Sequence, residues 1–182
     1  MDIYLAEPVP PFPLAVSTAL NTFTTKQNVS LLGTVPCFPA NKLRAGSKLV
    51  VSARGNAGCT ATPTLGLGFW IGTRALAMTI DLAISSLITM ASGVTSVPWI
   101  MDWEGFCTSV GATGSLIGQG KLYLGSSVTV FNTPVPIPIS AALRTVAIDT
   151  TIERAIGVSA AFSASNSLNQ VQVDDLRALI LN

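Results

Sequence analysis

Histidine is absent from this 182-residue sequence. Its absence removes the commonest general base, the usual metal ligand, and the Ser–His and Cys–His nucleophile pairs. Cysteine is scarce: Cys37, Cys59 and Cys107 stand more than twenty residues apart, and no C-x-x-C metal spacing occurs. Three is an odd number, so a disulfide framework is not expected, and a reducing site of synthesis fits. Each cysteine reads as a small core hydrophobe. Charge is scarce too. Asp, Glu, Lys and Arg make up 10% of the chain while apolar residues make up 49%, against about 25% charged in an ordinary soluble domain. Hydroxyls must keep much of such a surface wet, and neighbours must cover part of it, since interface cores are depleted in charge. The ten basic residues are scattered and the net charge is +1, which argues against a nucleic-acid partner.

Long apolar runs are missing as well. The most apolar stretch, Leu76 to Ala91, is cut by Asp81 and dotted with Ser and Thr. It falls short of the roughly 20 residues a bilayer demands, so no membrane partner is expected. The N-terminus carries Asp2 and Glu7 and no positive region, which is not the pattern of a signal peptide.

Proline is concentrated at the start. Pro8, Pro10, Pro11 and Pro13 each fix φ and remove a donor, so residues 1–20 read as an extended arm ahead of a domain over 21–182. The arm's Ile3, Tyr4, Leu5, Phe12, Leu14 and Val16 need cover, from their own domain or from a neighbour.

From about Val29 the sequence alternates at period 2, which places side chains on one face of a pleated strand. The shared faces are Leu49, Val51 and Ala53; Leu65, Leu67, Phe69 and Ile71; and Val97, Trp99, Met101, Trp103 and Cys107. Further on come Leu116, Leu122 and Leu124, with Ile117 and Tyr123 opposite, and then Ile156, Val158, Ala160 and Phe162. Turn signals stand at 56–58, 111–114 and 165–167. Repeated strands with such breaks mean a sandwich or barrel. Thr73 to Ala91 is the one helix candidate, and its Thr and Ile content suits strand or irregular structure at least as well. In the last segment the apolar register shifts from Val171 and Val173 to Leu176, Ala178 and Ile180. That predicts a β-bulge near Asp174 and Asp175. The run that follows is apolar on both faces, so Leu179 and Leu181 are expected to meet a second layer or chain.

Two stretches read as built for contact. Gly66, Gly68 and Gly72 flank Trp70 on one strand face, and glycine in a strand marks close approach by other backbone, within the sandwich or from outside. Residues 128–141 contain Pro134, Pro136 and Pro138, which bar a central strand. Their Val130, Phe131, Val135 and Ile137 are expected partner contacts on an extended connection.

Candidates for chemistry are thin. GLGFWIG and GSLIGQG match neither the dinucleotide nor the P-loop spacing. Asp102 and Glu104 share a strand face roughly 7 Å apart at about 3.3 Å per residue, near the separation of glycosidase carboxylates. A solvated strand face explains them as well. Trp99 and Trp103 suit sugar stacking or a core. The chain therefore reads as a non-enzyme with no catalytic residue, cofactor or metal.

Three stretches resemble a group of tailed-bacteriophage virion proteins. They are LRAGSKLVVSARGNAGCTATPTLGLGFWIGT, the aromatic strand leading into VGATGSLIGQGKLYLG, and RTVAIDTTIERAIGVSAAFSASNSLNQVQVDDLRALILN. The resemblance spans about Leu31 to Asn182 and carries over no functional residue. It implies an all-β jelly-roll sandwich of about eight antiparallel strands, homotrimers, and a place on the outside of a phage particle, after synthesis in the bacterial cytoplasm. The implied role is a capsid decoration (cement) protein held on the major capsid protein or another virion protein. The alternative is a fibre tip that binds a receptor or carbohydrate.

Overall fold

Alternation decides the strands. The computed structural model describes the backbone of residues 3–5 and all of residues 20–30, 35–125 and 130–182. The strands in chain order are β1 (Ile3–Leu5), β2 (Leu20–Asn21), β3 (Gln27–Asn28), β4 (Cys37–Phe38) and β5 (Lys48–Gly58). Then come β6 (Thr64–Gly72), β7 (Met78–Ile84), β8 (Ile88–Thr89), β9 (Val97–Ser109) and β10 (Gly114–Leu124). β11 (Val135–Ile137), β12 (Thr145–Ile148), β13 (Arg154–Phe162) and β14 (Gln170–Leu181) complete the set. A 3-10 turn, Ala141–Leu143, joins β11 to β12.

Among the described residues the strands form two antiparallel sheets. The large sheet has the order β1-β14-β5-β9-β10-β11, with β2 also on β14 and β12 also on β10. The small sheet has the order β3-β13-β6-β7, with β4 on β13 and β8 on β6. Along the chain the path switches between sheets at β3, β5, β6, β9, β13 and β14. That is the wrapping of a jelly roll, two Greek keys folded into one sandwich. The β10–β12 excursion widens the large sheet at one edge. Pro136 sits in that edge strand, where a missing donor costs no ladder bond and discourages further pairing.

The core lies between the sheets and is filled by the faces that alternation selects. Leu49, Val51, Ala53, Leu65, Leu67, Phe69, Ile71, Val97, Met101, Leu116, Leu122, Ile156, Val158 and Ile180 are all buried there. The β14 register shifts between Val173 and Asp175 against β5, so the bulge falls where the change of alternation put it. The stretch 73–91 is strand and connection, not helix: β7 and β8 both pair with β6.

Residues 56–58 are not a turn. Asn56 and Ala57 pair with Pro98 and Val97 on one side and with Gln172 and Val171 on the other. With both neighbours present, cross-strand pairing overrides the local preference of Asn and Gly for turns.

The glycines serve the tryptophans. Trp99 faces Gly55, Trp103 faces Gly120, and Trp70 faces Gly157 across neighbouring strands. A Cβ on Gly55 would lie 2.7 Å from the Trp99 ring. One on Gly105 or Gly118 would collide with Trp103, and one on Gly157 with Trp70. Each indole therefore lies flat over a seat that any larger residue would fill. At Gly68 a Cβ would stand 2.6 Å from the Ala83 carbonyl oxygen, so the close approach read from Gly66, Gly68 and Gly72 is made within the sandwich.

Candidate functional site

The outer face of the large sheet carries Phe106 and Ile117, two of the exposed large hydrophobics. Register defines one row across six strands: Ile3, Leu181, Lys48, Phe106, Ile117 and Thr145. The next row holds Leu5, Leu179, Val50, Glu104 and Gln119. Phe106 is 51% exposed and Ile117 43%, and they stand directly opposite each other. Leu143, also exposed, ends the 3-10 turn beside them, where the Gly118 amide donates to the Arg144 carbonyl at 2.9 Å. Leu179, Leu181 and Val50 are half-buried. Inside this apolar ground sits one ion pair, Lys48 Nζ to Glu104 Oε2 at 2.6 Å.

The middle of the face is polar. Asp102 lies between Ser52 and Lys121 in register. Asp175 Oδ2 holds Arg177 Nε at 3.0 Å and Arg54 Nε at 3.6 Å, and Asn56 Nδ2 donates to Asp174 Oδ2 at 2.7 Å. Partial burial pushes the Asp174 carboxyl above the ordinary carboxylate range. Such exposed pairs are worth about 0–1 kcal/mol each; their effect is to keep the middle wet and to set which partner charges fit.

The far end of the face carries an aromatic pair. The Tyr123 and Phe131 rings meet edge to face, with centroids 6.5 Å apart and planes at 84°. Phe131 bridges to Gly125, and Val130 beside it is exposed. Along β10 this pair lies roughly 20 Å from Ile117, six residues at about 3.3 Å each.

The expected contact residues thus divide. Leu179 and Leu181 fall in the Phe106–Ile117 corner, and Ile3–Leu5 pairs with them as β1. Val130 and Phe131 lie at the other end, exposed. Val135 is half-buried and packs on the core, and Ile137 is wholly buried. Ile137 is therefore a correction: it fills the core end beneath the Gly120 pairing and presents no surface to a partner. Phe12 and Leu14 lie outside the described residues. Phe106 was not anticipated, although the parity of its strand marks it. It stands at an odd step from Trp103 and Cys107, so it must face away from them.

Two enzyme and ligand readings change. Trp99 is 0% exposed and Trp103 1%, so neither can stack on a sugar. Asp102 and Glu104 are exposed on an open sheet face, and Glu104 is held by Lys48. A glycosidase acid needs a carboxyl sheltered enough to keep its proton, and this face gives no such shelter. The three cysteines are buried and unpaired, and burial raises each thiol above its ordinary value. That suits inert core residues.

No family model matches the chain, and no curated protein matches it. Among solved structures it is similar to the CBM2 module of the evolved Dit of Lactobacillus casei BL23 phage J-1, at 10% identity and a TM-score of 0.38. The likeness covers 97% of this chain and 89% of that one. Similarity at this level does not extend to what either protein binds. No helix among the described residues is long and apolar enough to cross a membrane.

Proposed function

We propose that the chain is a non-enzymatic structural protein of a tailed-phage particle. In this reading it is a capsid decoration (cement) protein that binds the outer shell as a homotrimer. The observation that carries it is the apolar corner built from Phe106, Ile117, Leu179, Leu181 and Val50 on an open sheet face. Phe106 and Ile117 on one side of the Lys48–Glu104 pair, and Leu179, Leu181 and Val50 on the other, make an apolar surface that on a domain with so little charge needs cover. The resemblance of three sequence stretches to virion proteins supports the particle as the partner. Cementing suits such a domain: stable interfaces bury about 1,200–2,000 Å², and three linked copies multiply the attachments.

The test is mass and particle binding together. Light scattering at micromolar concentration is expected to give a trimer, and co-sedimentation with phage shells is expected to saturate. A native monomer that does not sediment with shells would sink the reading. Phe106→Thr keeps strand propensity and is expected to weaken shell binding tenfold or more, about 1.4 kcal/mol; unchanged binding would remove this corner from it.

A second reading is a fibre tip that binds a receptor or a carbohydrate. Its support is the Tyr123–Phe131 pair with Asp102 and Lys121 nearby in register. Binding on a glycan array that Phe131→Ala abolishes would favour it; an empty array would set it aside.

A further inference from the structure

Two neighbouring strands of the open face carry matched columns of side chains. On β9 the outward residues are Ile100, Asp102, Glu104 and Phe106. Directly opposite them in register, β10 presents Tyr123, Lys121, Gln119 and Ile117. Ile100 and Tyr123 are half-buried and the other six are exposed. The β9 column is acidic in its middle, and the β10 column carries a cation and an amide there. Both columns are apolar at both ends. Asp102 and Lys121 stand opposite each other, yet neither takes part in an ion pair among the described residues.

We propose that this face is a two-fold joint between copies of the chain, with the axis running along the strands between β9 and β10. The inference rests on the self-assembly reading above and adds a contact to it: the trimer joins copies around one axis, and this joint links one trimer to another. A half-turn about the proposed axis lays each column on the opposite column of the second copy. Asp102 then meets the second copy's Lys121, and Glu104 meets its Gln119. Phe106 meets Ile117 at one end, and Ile100 meets Tyr123 at the other. An isologous contact must be self-complementary in this way, and each pairing occurs twice. Charge selects the axis. A half-turn about a line across the strands at the same place would set Asp102 against the second copy's Glu104, acid on acid. Packed sheets keep their strands within about 30° of each other, so displacement grows toward the ends. The charged and amide pairs lie in the middle, where it is smallest, and the apolar ends need only contact. The occupant is a second copy because the face is complementary to itself in both charge and apolar pattern. The columns run roughly 20 Å, six steps at about 3.3 Å each, and lie about 5 Å apart. That footprint stands at the low end of specific interfaces, under about 1,200 Å². The joint is therefore weak alone and strengthens where trimers present several copies of it. Because β5 separates β14 from β9, Leu179 and Leu181 stay outside the joint and remain available to the shell.

Charge exchange between two full-length chains reads the joint. Asp102→Lys sets cation against cation at both copies of that pair, and Lys121→Asp sets acid against acid. Both positions are exposed, so neither change disturbs the core. Sedimentation equilibrium over a concentration series is run at low salt, where exposed charges are least screened. Each variant alone is expected to associate beyond the trimer at least tenfold more weakly than the native protein. Mixed in equal amounts, the two variants are expected to associate with each other at near-native strength, because every pair in the mixed joint is again one acid and one base. A contact within one chain cannot be restored by mixing. Single variants that associate like the native protein, or weakened variants that mixing does not restore, overturn the joint and leave the trimer standing. A native protein that stays a trimer at every concentration also overturns the joint alone. A native protein that stays a monomer at every concentration overturns assembly and joint together.

Discussion

The two sheets of the sandwich treat their outer faces differently. On the small sheet Trp70 points away from the core, yet it is 0% exposed. Val35, Cys37 and Ala155 pack around it as a second small core, with Leu76 and Met78 at its margin. Its indole N–H donates to Asn28 Oδ1 at 3.1 Å and to the Val158 carbonyl at 3.2 Å. Ser30 Oγ accepts from the Val158 amide at 2.8 Å, which ties the covering segment to β13. On the large sheet Phe106, also in an outward position, stays half in water. One face is closed by its own chain and the other stays open. The two faces differ in composition, small residues around Trp70 on one and charges such as Lys48, Asp102 and Glu104 on the other, and in whether a stretch of the same chain, here Val35 to Cys37, returns to cover them.

The largest expected effect comes from opening the closed face. Trp70→Ala should lose about 3–5 kcal/mol, since it empties a packed site, read as a fall in the midpoint of urea unfolding. If instead the loss is below about 1 kcal/mol, the second core is not a packed unit. Overfilling the same site comes next. Gly157→Ala places a Cβ 2.2 Å from the Trp70 ring and should cost about 1–3 kcal/mol in the same measurement. Combined with Trp70→Ala it should cost markedly less, because the ring it strikes is gone.

The open face should behave in the opposite way. Ile117→Thr is expected to change unfolding of the isolated subunit by no more than about 0.5 kcal/mol, while it weakens self-association. Equal losses in folding and association would mean that the two faces do not differ in kind. The smallest effect is electrostatic. Asp174 has its carboxyl raised by burial, so the folded state holds that proton more tightly than the unfolded one. Its contribution is most favourable below the unfolded carboxylate range and is lost as pH rises through the folded value. Asp174→Asn removes that loss and keeps an acceptor for Asn56. The variant should gain about 0.5 kcal/mol or less at pH 7 relative to pH 3, measured by thermal unfolding at both.

Much of this was legible in the residues. Period-2 alternation marked the core faces of β5, β6, β9, β10 and β13. The change of phase after Val173 marked the bulge, and the prolines of 128–141 marked an edge. The apolar corner was half legible: Leu179 and Leu181 show in the last strand, while Phe106 shows only through the parity of its neighbours. Ile137 misled because its Pro-rich setting suggested exposure, and Asn56 to Gly58 misled because turn-forming residues were held straight between two strands. The glycines were read as punctuation or close approach, and their role as seats for tryptophan was out of reach. That role depends on which strand lies beside which, and the Trp99–Gly55 pair joins residues forty-four positions apart.

By itself, then, the sequence determined that the chain forms strands, which side of each strand is apolar, and that no histidine chemistry is available to it. Those are local properties, since the pleat turns every second side chain to the same side whatever lies beside it. Tertiary structure alone decided which of the outward faces is covered. Cover depends on where distant segments return, and a period of two assigns each residue a face without assigning that face a neighbour. This is why Trp70 and Phe106, each opposite its strand's core face, end as a buried plug and an exposed ring.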